Sequence, residues 1–161
     1  MDAETIVLTY SDMVYRIAMR YVRQPADAED VYSEVFLRYF RKLRTFESEE
    51  HRKAWLIKVT MNCAKDLLTQ KLSYDEIETV QIPEAEKGPD KEELLDLRNA
   101  MEGLKPEYRE AISLYYLDGL SVKQVADVMD RPENTVKSLL MRGREALKKE
   151  LLAADKALSG A

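Results

Sequence analysis

From Ser121 to Leu151 the chain has room for little besides two helices meeting at a turn. Ser121 and Gln124 have the spacing of a capping box, in which two side chains satisfy N–H groups that a helix start leaves unpaired. Val122, Val125, Ala126 and Met129 give the short helix behind that cap one apolar face. Asp130-Arg131-Pro132 ends it, because the residue before a proline is pushed out of the helical region. In the second helical pattern, Val136, Leu139, Leu140, Leu147 and Leu151 fall on one side. Lys137, Ser138, Met141, Arg142 and Lys148 fall mostly elsewhere. A capped helix, a tight turn and a longer helix with a basic outer face make a helix-turn-helix. Its second helix has the width of the DNA major groove. The plainer reading is a pair of amphipathic helices with a solvated basic face, as in many all-helical proteins.

The rest of the chain is helical by the same criterion. Ile6, Tyr10, Met13, Val14, Ile17, Ala18 and Tyr21 recur at helical spacing and predict a helix over 4–23. Asp27 is the expected N-cap of a second helix reaching about Arg44. Its stripe of Val31, Tyr32, Val35, Phe36, Tyr39, Phe40 and Leu43 is too wide for one neighbour and predicts a central helix. A polar connection, Phe46–Lys53, leads into a third helix from about His51 to Leu72, with Trp55, Leu56, Val59, Ala64, Leu67 and Leu68 as its apolar positions. Lys58, Asn62 and Lys65 fall near one face of it.

Periodicity stops at Ser73. Residues 73–93 hold eight acids and two bases, a balance of −6, with two prolines and a glycine. That composition predicts a flexible acidic linker. The whole chain carries −5, so everything outside the linker sums to +1. Asp90 and Glu93 are suited to cap the next helix, lined by Leu94, Leu97, Met101 and Leu104. Pro106 then restarts the chain where proline fits a first helical turn, with Tyr108, Ala111, Ile112, Tyr115 and Tyr116 as the apolar positions. The expected layout is all-α: a bundle over 1–72, the linker over 73–93, a helix-turn-helix domain over 94–152 and a frayed tail over 153–161.

Several function classes drop out. No apolar run approaches the roughly 20 residues a membrane span needs, so no membrane insertion is expected. The acidic start, MDAETIVLTYSD, has no secretion-signal pattern. One cysteine and one histidine support no metal cluster, and Cys63 reads as a small buried side chain. No phosphate-cradling glycine loop, paired carboxylates or nucleophile–base arrangement suggests an enzyme, and no cofactor is implied. These features predict a cytoplasmic protein whose work is binding.

Three segments, ADAEDVYSEVFLRYFRKL, AWLIKVTMNCAKDLL and LKPEYREAISLYYLDGLSVKQVADVMDRPENTVKSLLMRGREAL, together resemble the extracytoplasmic-function sigma factors of the sigma-70 family. The resemblance covers nearly the whole chain apart from the linker and tail. It implies a non-catalytic subunit that gives core RNA polymerase its promoter choice, commonly restrained by an anti-sigma factor. The first bundle would then be region two, docking on the clamp helices of the polymerase β′ subunit through Asp30, Glu34 and Arg38. Its polar connection, starting at Phe46, and Asn62 would capture a flipped base of the minus-ten element. Lys58 and Lys65 would hold the strand's backbone, and Trp55 would belong to the core. The second domain would be region four, touching the β-flap and reading the minus-thirty-five element. Lys137, Ser138, Met141 and Arg142 match groove-facing positions, while Thr135 and Arg144 suit phosphate or structural roles. The chain departs from the family pattern at Ser33, where Gln is usual, and at Pro132 and Asn134, before Thr135. It departs again at Leu139, where Arg is common, and at Lys71, which stands alone in place of an arginine cluster. The competing readings are a stand-alone regulator, which has no reason to carry the AEDVYSEVF and AWLIKVTMN segments, and an adaptor that binds proteins and no DNA.

Overall fold

The computed structural model describes residues 2–41, 44–74 and 91–159. Seven helices and no strands occur among them. The chain separates into two compact units that divide between the third and fourth helices.

The N-terminal unit holds α1 (Ala3–Val22), α2 (Pro25–Arg41) and α3 (Glu49–Tyr74), each packed on the other two. Asp2 caps α1, its carboxylate accepting the Thr5 N–H at 2.8 Å. Arg23 stops α1 in the left-handed conformation at φ 60°, and Pro25 opens α2 two residues later. Proline at that position costs no helical hydrogen bond, so the helix starts before Asp27. Asp27 is therefore not the N-cap. It sits inside the first turn, buried, with its carboxylate taking the Lys71 ammonium from the far end of α3. A buried carboxylate needs such a partner.

Nor is α2 the centre. Ala28, Val31, Val35 and Phe36 are buried, but Phe40 is 46% exposed. Leu43 lies outside the described residues. The core is shared: Ile6, Val14 and Ile17 of α1 meet Val35 of α2 and Leu56, Ile57 and Ala64 of α3, all nearly solvent-free. Each of the valine, leucine and isoleucine side chains contributes about 1.5–3 kcal/mol by leaving water. Thr60 joins this core because its hydroxyl donates to the Leu56 carbonyl one turn back, at 2.6 Å.

The C-terminal unit holds α4 (Lys91–Glu102), α5 (Pro106–Ile112), α6 (Val122–Met129) and α7 (Glu133–Ser159). Between α5 and α6 the chain widens into a single π-helical stretch, Ser113–Leu117. This buries Leu114 and Asp118 and leaves Tyr116 and Leu117 more than half exposed, a shift the regular helical pattern does not predict. α4, α5 and α6 all pack on α7. The contact with α5 is close because Gly143 has no side chain: a Cβ there would stand 2.8 Å from Ile112 Cδ1 and 3.3 Å from Tyr108 Cβ. In α4, Ala100 is buried while Leu97 is 41% exposed, and Leu104 is buried in the turn that follows. The expected Asp90 cap lies outside the described residues, as does most of the acidic linker, residues 75–90. Helix α3 runs on to Tyr74, and α4 starts at Lys91, so both helices enter the expected linker. α7 likewise runs to Ser159 through AADKALS, whose alanines, leucine and lysine are good helix formers.

Candidate nucleic-acid interface

The turn before α7 is set by local chemistry. Ser121 Oγ accepts the Gln124 N–H at 3.1 Å, and Gln124 Oε1 accepts the Ser121 N–H at 3.0 Å, closing the capping box. At the other end of α6, Asp130 takes the left-handed conformation at φ 54°. Its N–H donates to the Asp127 carbonyl, and the Arg131 N–H donates to the Ala126 carbonyl at 3.0 Å. This pair of bonds is a Schellman closure with aspartate where glycine is usual. The helix thus ends at Asp130, before Pro132 acts. The new helix takes its first bond from the Val136 N–H to the Pro132 carbonyl, at 3.1 Å.

In α7, Val136, Leu139, Leu140 and Gly143 face inward. Lys137 and Arg142 are exposed, Met141 is 52% exposed, and Ser138 is half-buried. The four groove-facing positions suggested by resemblance therefore share the outer side. Thr135 is half-buried at the helix start. Arg144 is exposed, and its guanidinium donates to the Tyr116 hydroxyl at 2.7 Å, which anchors it to the π-helical stretch. Leu139 is 7% exposed and packs inward.

In the N-terminal unit, Asp30, Glu34 and Arg38 lie one turn apart on α2 and line a groove of about 320 Å³ with Cys63, Asp66 and Leu67 of α3. Arg38 Nε donates to Glu34 Oε1 at 2.9 Å, and that bond raises the guanidinium's pKa above its ordinary value. Burial pushes the Cys63 thiol up, against the pull of Arg38, so it stays a protonated, buried side chain. Asn62 and Lys65 are exposed on α3 and Lys58 is half-buried; Lys65 Nζ lies 5.8 Å from the Tyr21 ring. Lys71, which stands alone where the resemblance would place an arginine cluster, pairs with the Asp27 carboxylate.

Sequence reasoning missed the aromatic cluster around Phe46. The Phe46 ring stacks on Tyr39 of α2 at 6.0 Å, 7° from parallel, and meets Trp55 of α3 at 5.9 Å and 62°. Tyr39 also meets Trp55 edge-on at 5.8 Å. Trp55 is half-buried in this cluster, with the Arg44 guanidinium 4.9 Å from its ring, so it is not a core residue. Its apolar neighbours at helical spacing made it look like one. The signal that could have found the cluster is the pairing of arginine with aromatic side chains across Tyr39, Arg44, Phe46, Arg52 and Trp55.

Residues 6–72 match the model of Sigma-70 region 2, and residues 94–147 match that of Sigma-70, region 4. The sequence is 30% identical over 158 residues to the ECF RNA polymerase sigma-E factor of Escherichia coli K12, covering 88% of this chain and 82% of that protein. The chain belongs to the extracytoplasmic-function sigma factors of the sigma-70 family. The ECF sigma factor BldN of Streptomyces coelicolor is 34% identical over 147 residues, covering 86% of this chain and 56% of BldN. Among solved structures, a sigma factor from Bartonella quintana in complex with the anti-sigma factor NepR matches at a TM-score of 0.71 and 25% identity, over 92% of this chain and 95% of that one. CnrH, solved with the cytosolic domain of CnrY, shares the fold at a TM-score of 0.68 and 22% identity, over 95% and 88%. The two family regions fall one in each compact unit of this sigma factor.

Proposed function

We propose that this sigma factor binds core RNA polymerase in the cytoplasm, selects promoters and opens them, with no catalysis of its own. The single observation that carries the reading is the outer face of α7. Lys137, Met141 and Arg142 stand exposed opposite a buried apolar side, in a chain whose other unit matches region 2. Arg and Lys donate to guanine O6 and N7 in the major groove, and Met supplies apolar contact to thymine methyls. Ser138 adds a hydroxyl to that face. Thr135 and Arg144 take phosphate or structural positions, which fix register without reading sequence.

The N-terminal unit docks on the β′ clamp helices through Asp30, Glu34 and Arg38. Fixed charges beside an apolar stripe give orientation and association rate. The same unit holds the melted minus-ten strand with Phe46 and Asn62 at the unpaired base and Lys58 and Lys65 along the backbone. The C-terminal unit also touches the β-flap. An anti-sigma factor restrains the protein until a signal releases it; the Bartonella quintana relative, solved with NepR, supports this. The net charge of −5 fits weak binding to free duplex and reliance on polymerase to hold the DNA.

The test is run-off transcription on genomic fragments with purified core polymerase. Discrete new start sites are expected only when the chain is added. Tight, specific duplex binding without polymerase, and no start-site choice with it, would instead make the protein a stand-alone regulator.

A further inference from the structure

The polar connection before α3 is braced from several directions, and the braces converge on Phe46. His51 Nδ1 accepts the Glu47 N–H at 3.3 Å, across the turn from Glu47 to His51. Ser48 Oγ accepts the His51 N–H at 3.1 Å, which caps the start of α3. The His51 ring then meets Phe46 edge-on at 5.3 Å and 80°, on a ring that also stacks on Tyr39. The Arg52 guanidinium lies 5.2 Å from the Phe46 ring, its Nε donating to the Tyr39 hydroxyl at 3.1 Å. Arg52 also pairs with Glu49, and Glu49 accepts the Tyr10 hydroxyl at 2.7 Å from α1. Every helix of the unit thus reaches the loop.

This network is more than surface decoration. Arg52 has 16% of its side-chain area exposed, and it bridges an aromatic ring, a phenol and a carboxylate at once. His51 does two separate jobs with one ring: its Nδ1 holds the backbone of the loop, and its edge holds Phe46. A loop that must present a side chain to an unpaired base gains affinity when its shape is set before the base arrives.

We propose that His51, with Arg52 and Tyr39, is a positioning residue that holds the loop at Phe46 in its strand-capturing shape. The proposal rests on the reading that Phe46 and Asn62 capture the minus-ten strand. His51 touches no nucleic acid in this account; it acts through Glu47 and Phe46.

The test uses holoenzyme assembled from core polymerase and the full chain. The probe is a fluorescent single-stranded oligonucleotide spanning the minus-ten region of a promoter mapped by run-off. His51→Ala should weaken binding on the order of 10-fold, the loss of one hydrogen bond and one ring contact, with polymerase affinity unchanged. His51→Asn keeps an acceptor near the Nδ1 position and should recover about half of the loss on a logarithmic scale. A second readout needs no activity. Trp55 is the chain's sole tryptophan and lies beside Phe46, so acrylamide quenching of its fluorescence reports on the loop. Quenching should rise in His51→Ala and return toward wild type in His51→Asn. If Asn62→Ala weakens oligonucleotide binding while His51→Ala changes neither binding nor quenching, the positioning role is overturned and the strand-capture reading stands. If Asn62→Ala and Phe46→Ala also leave binding intact, strand capture at this loop fails, and the proposal fails with it.

Discussion

The two units of this sigma factor build their working surfaces in different ways. The C-terminal surface is one side of a single helix, α7, aimed by the caps of the short helix before it: the Ser121–Gln124 box at its start and the Asp130 closure at its end. The N-terminal loop surface is assembled from side chains that come from all three helices of its unit. Phe46 is held by Tyr39, His51 and Arg52, and Arg52 reaches Tyr10 through Glu49. The difference teaches that, on the proposed roles, a recognition helix is aimed by the turn before it, whereas a strand-capturing loop needs side chains from several helices in place. It also predicts that damage should spread differently in the two halves.

The largest effect is expected where the C-terminal unit does depend on tertiary packing. Gly143→Leu drives a side chain into Ile112 and Tyr108 and should destabilise that unit by about 3 kcal/mol or more. Chemical denaturation followed by Trp55 fluorescence, which sits in the other unit, should stay near wild type while circular dichroism shows early loss of helix. Next comes the reading face itself. Lys137→Ala with Arg142→Ala should lower transcription from minus-thirty-five-dependent promoters about 100-fold, at roughly 1–3 kcal/mol for each base contact. Polymerase co-purification should be unchanged.

Smaller effects sharpen the contrast. Asp130→Val puts a β-branched residue at positive φ and should cost about 1–2 kcal/mol in the C-terminal unit, read as a lower denaturation midpoint. Ser121→Ala should cost about 1 kcal/mol by the same measurement. Neither should alter binding of the single-stranded minus-ten oligonucleotide. Tyr10→Phe is the converse probe. It removes one hydroxyl from α1, yet it should weaken binding of that oligonucleotide about two- to threefold through Glu49 and Arg52, the low end of what one part-buried hydrogen bond contributes. An unchanged affinity would mean that the loop does not feel its distant support.

The same contrast explains what could be read in advance. The all-helical class, the break between two helical blocks, the capping box and the outward face of α7 rest on spacing and on turn residues, which act over one or two turns. They are legible in any sequence that carries them. Asp27 was misplaced because Pro25 can open a helix two residues earlier, and its true partner, Lys71, is 44 positions away. Trp55 looked like core because periodicity marks which side of a helix is apolar, not how deep a ring sits. Leu139 and Met141 show the same limit. Both are apolar residues in α7, but one is buried and the other half-exposed on the outer side. The π-helical stretch at Ser113–Leu117 shifts the helical register of the residues beyond it, and no single residue there announces it.

The central claim is a division of labour between the units, and footprinting of the holoenzyme on a promoter mapped by run-off tests it most directly. DNase protection reports the minus-thirty-five contact and permanganate reactivity of thymines reports strand opening. The account predicts that Lys137→Ala with Arg142→Ala removes upstream protection while an artificially pre-opened template still shows a held minus-ten strand. It predicts that Asn62→Ala keeps upstream protection and loses the reactive thymines. Loss of both signals together in either variant, with polymerase binding intact, would contradict it.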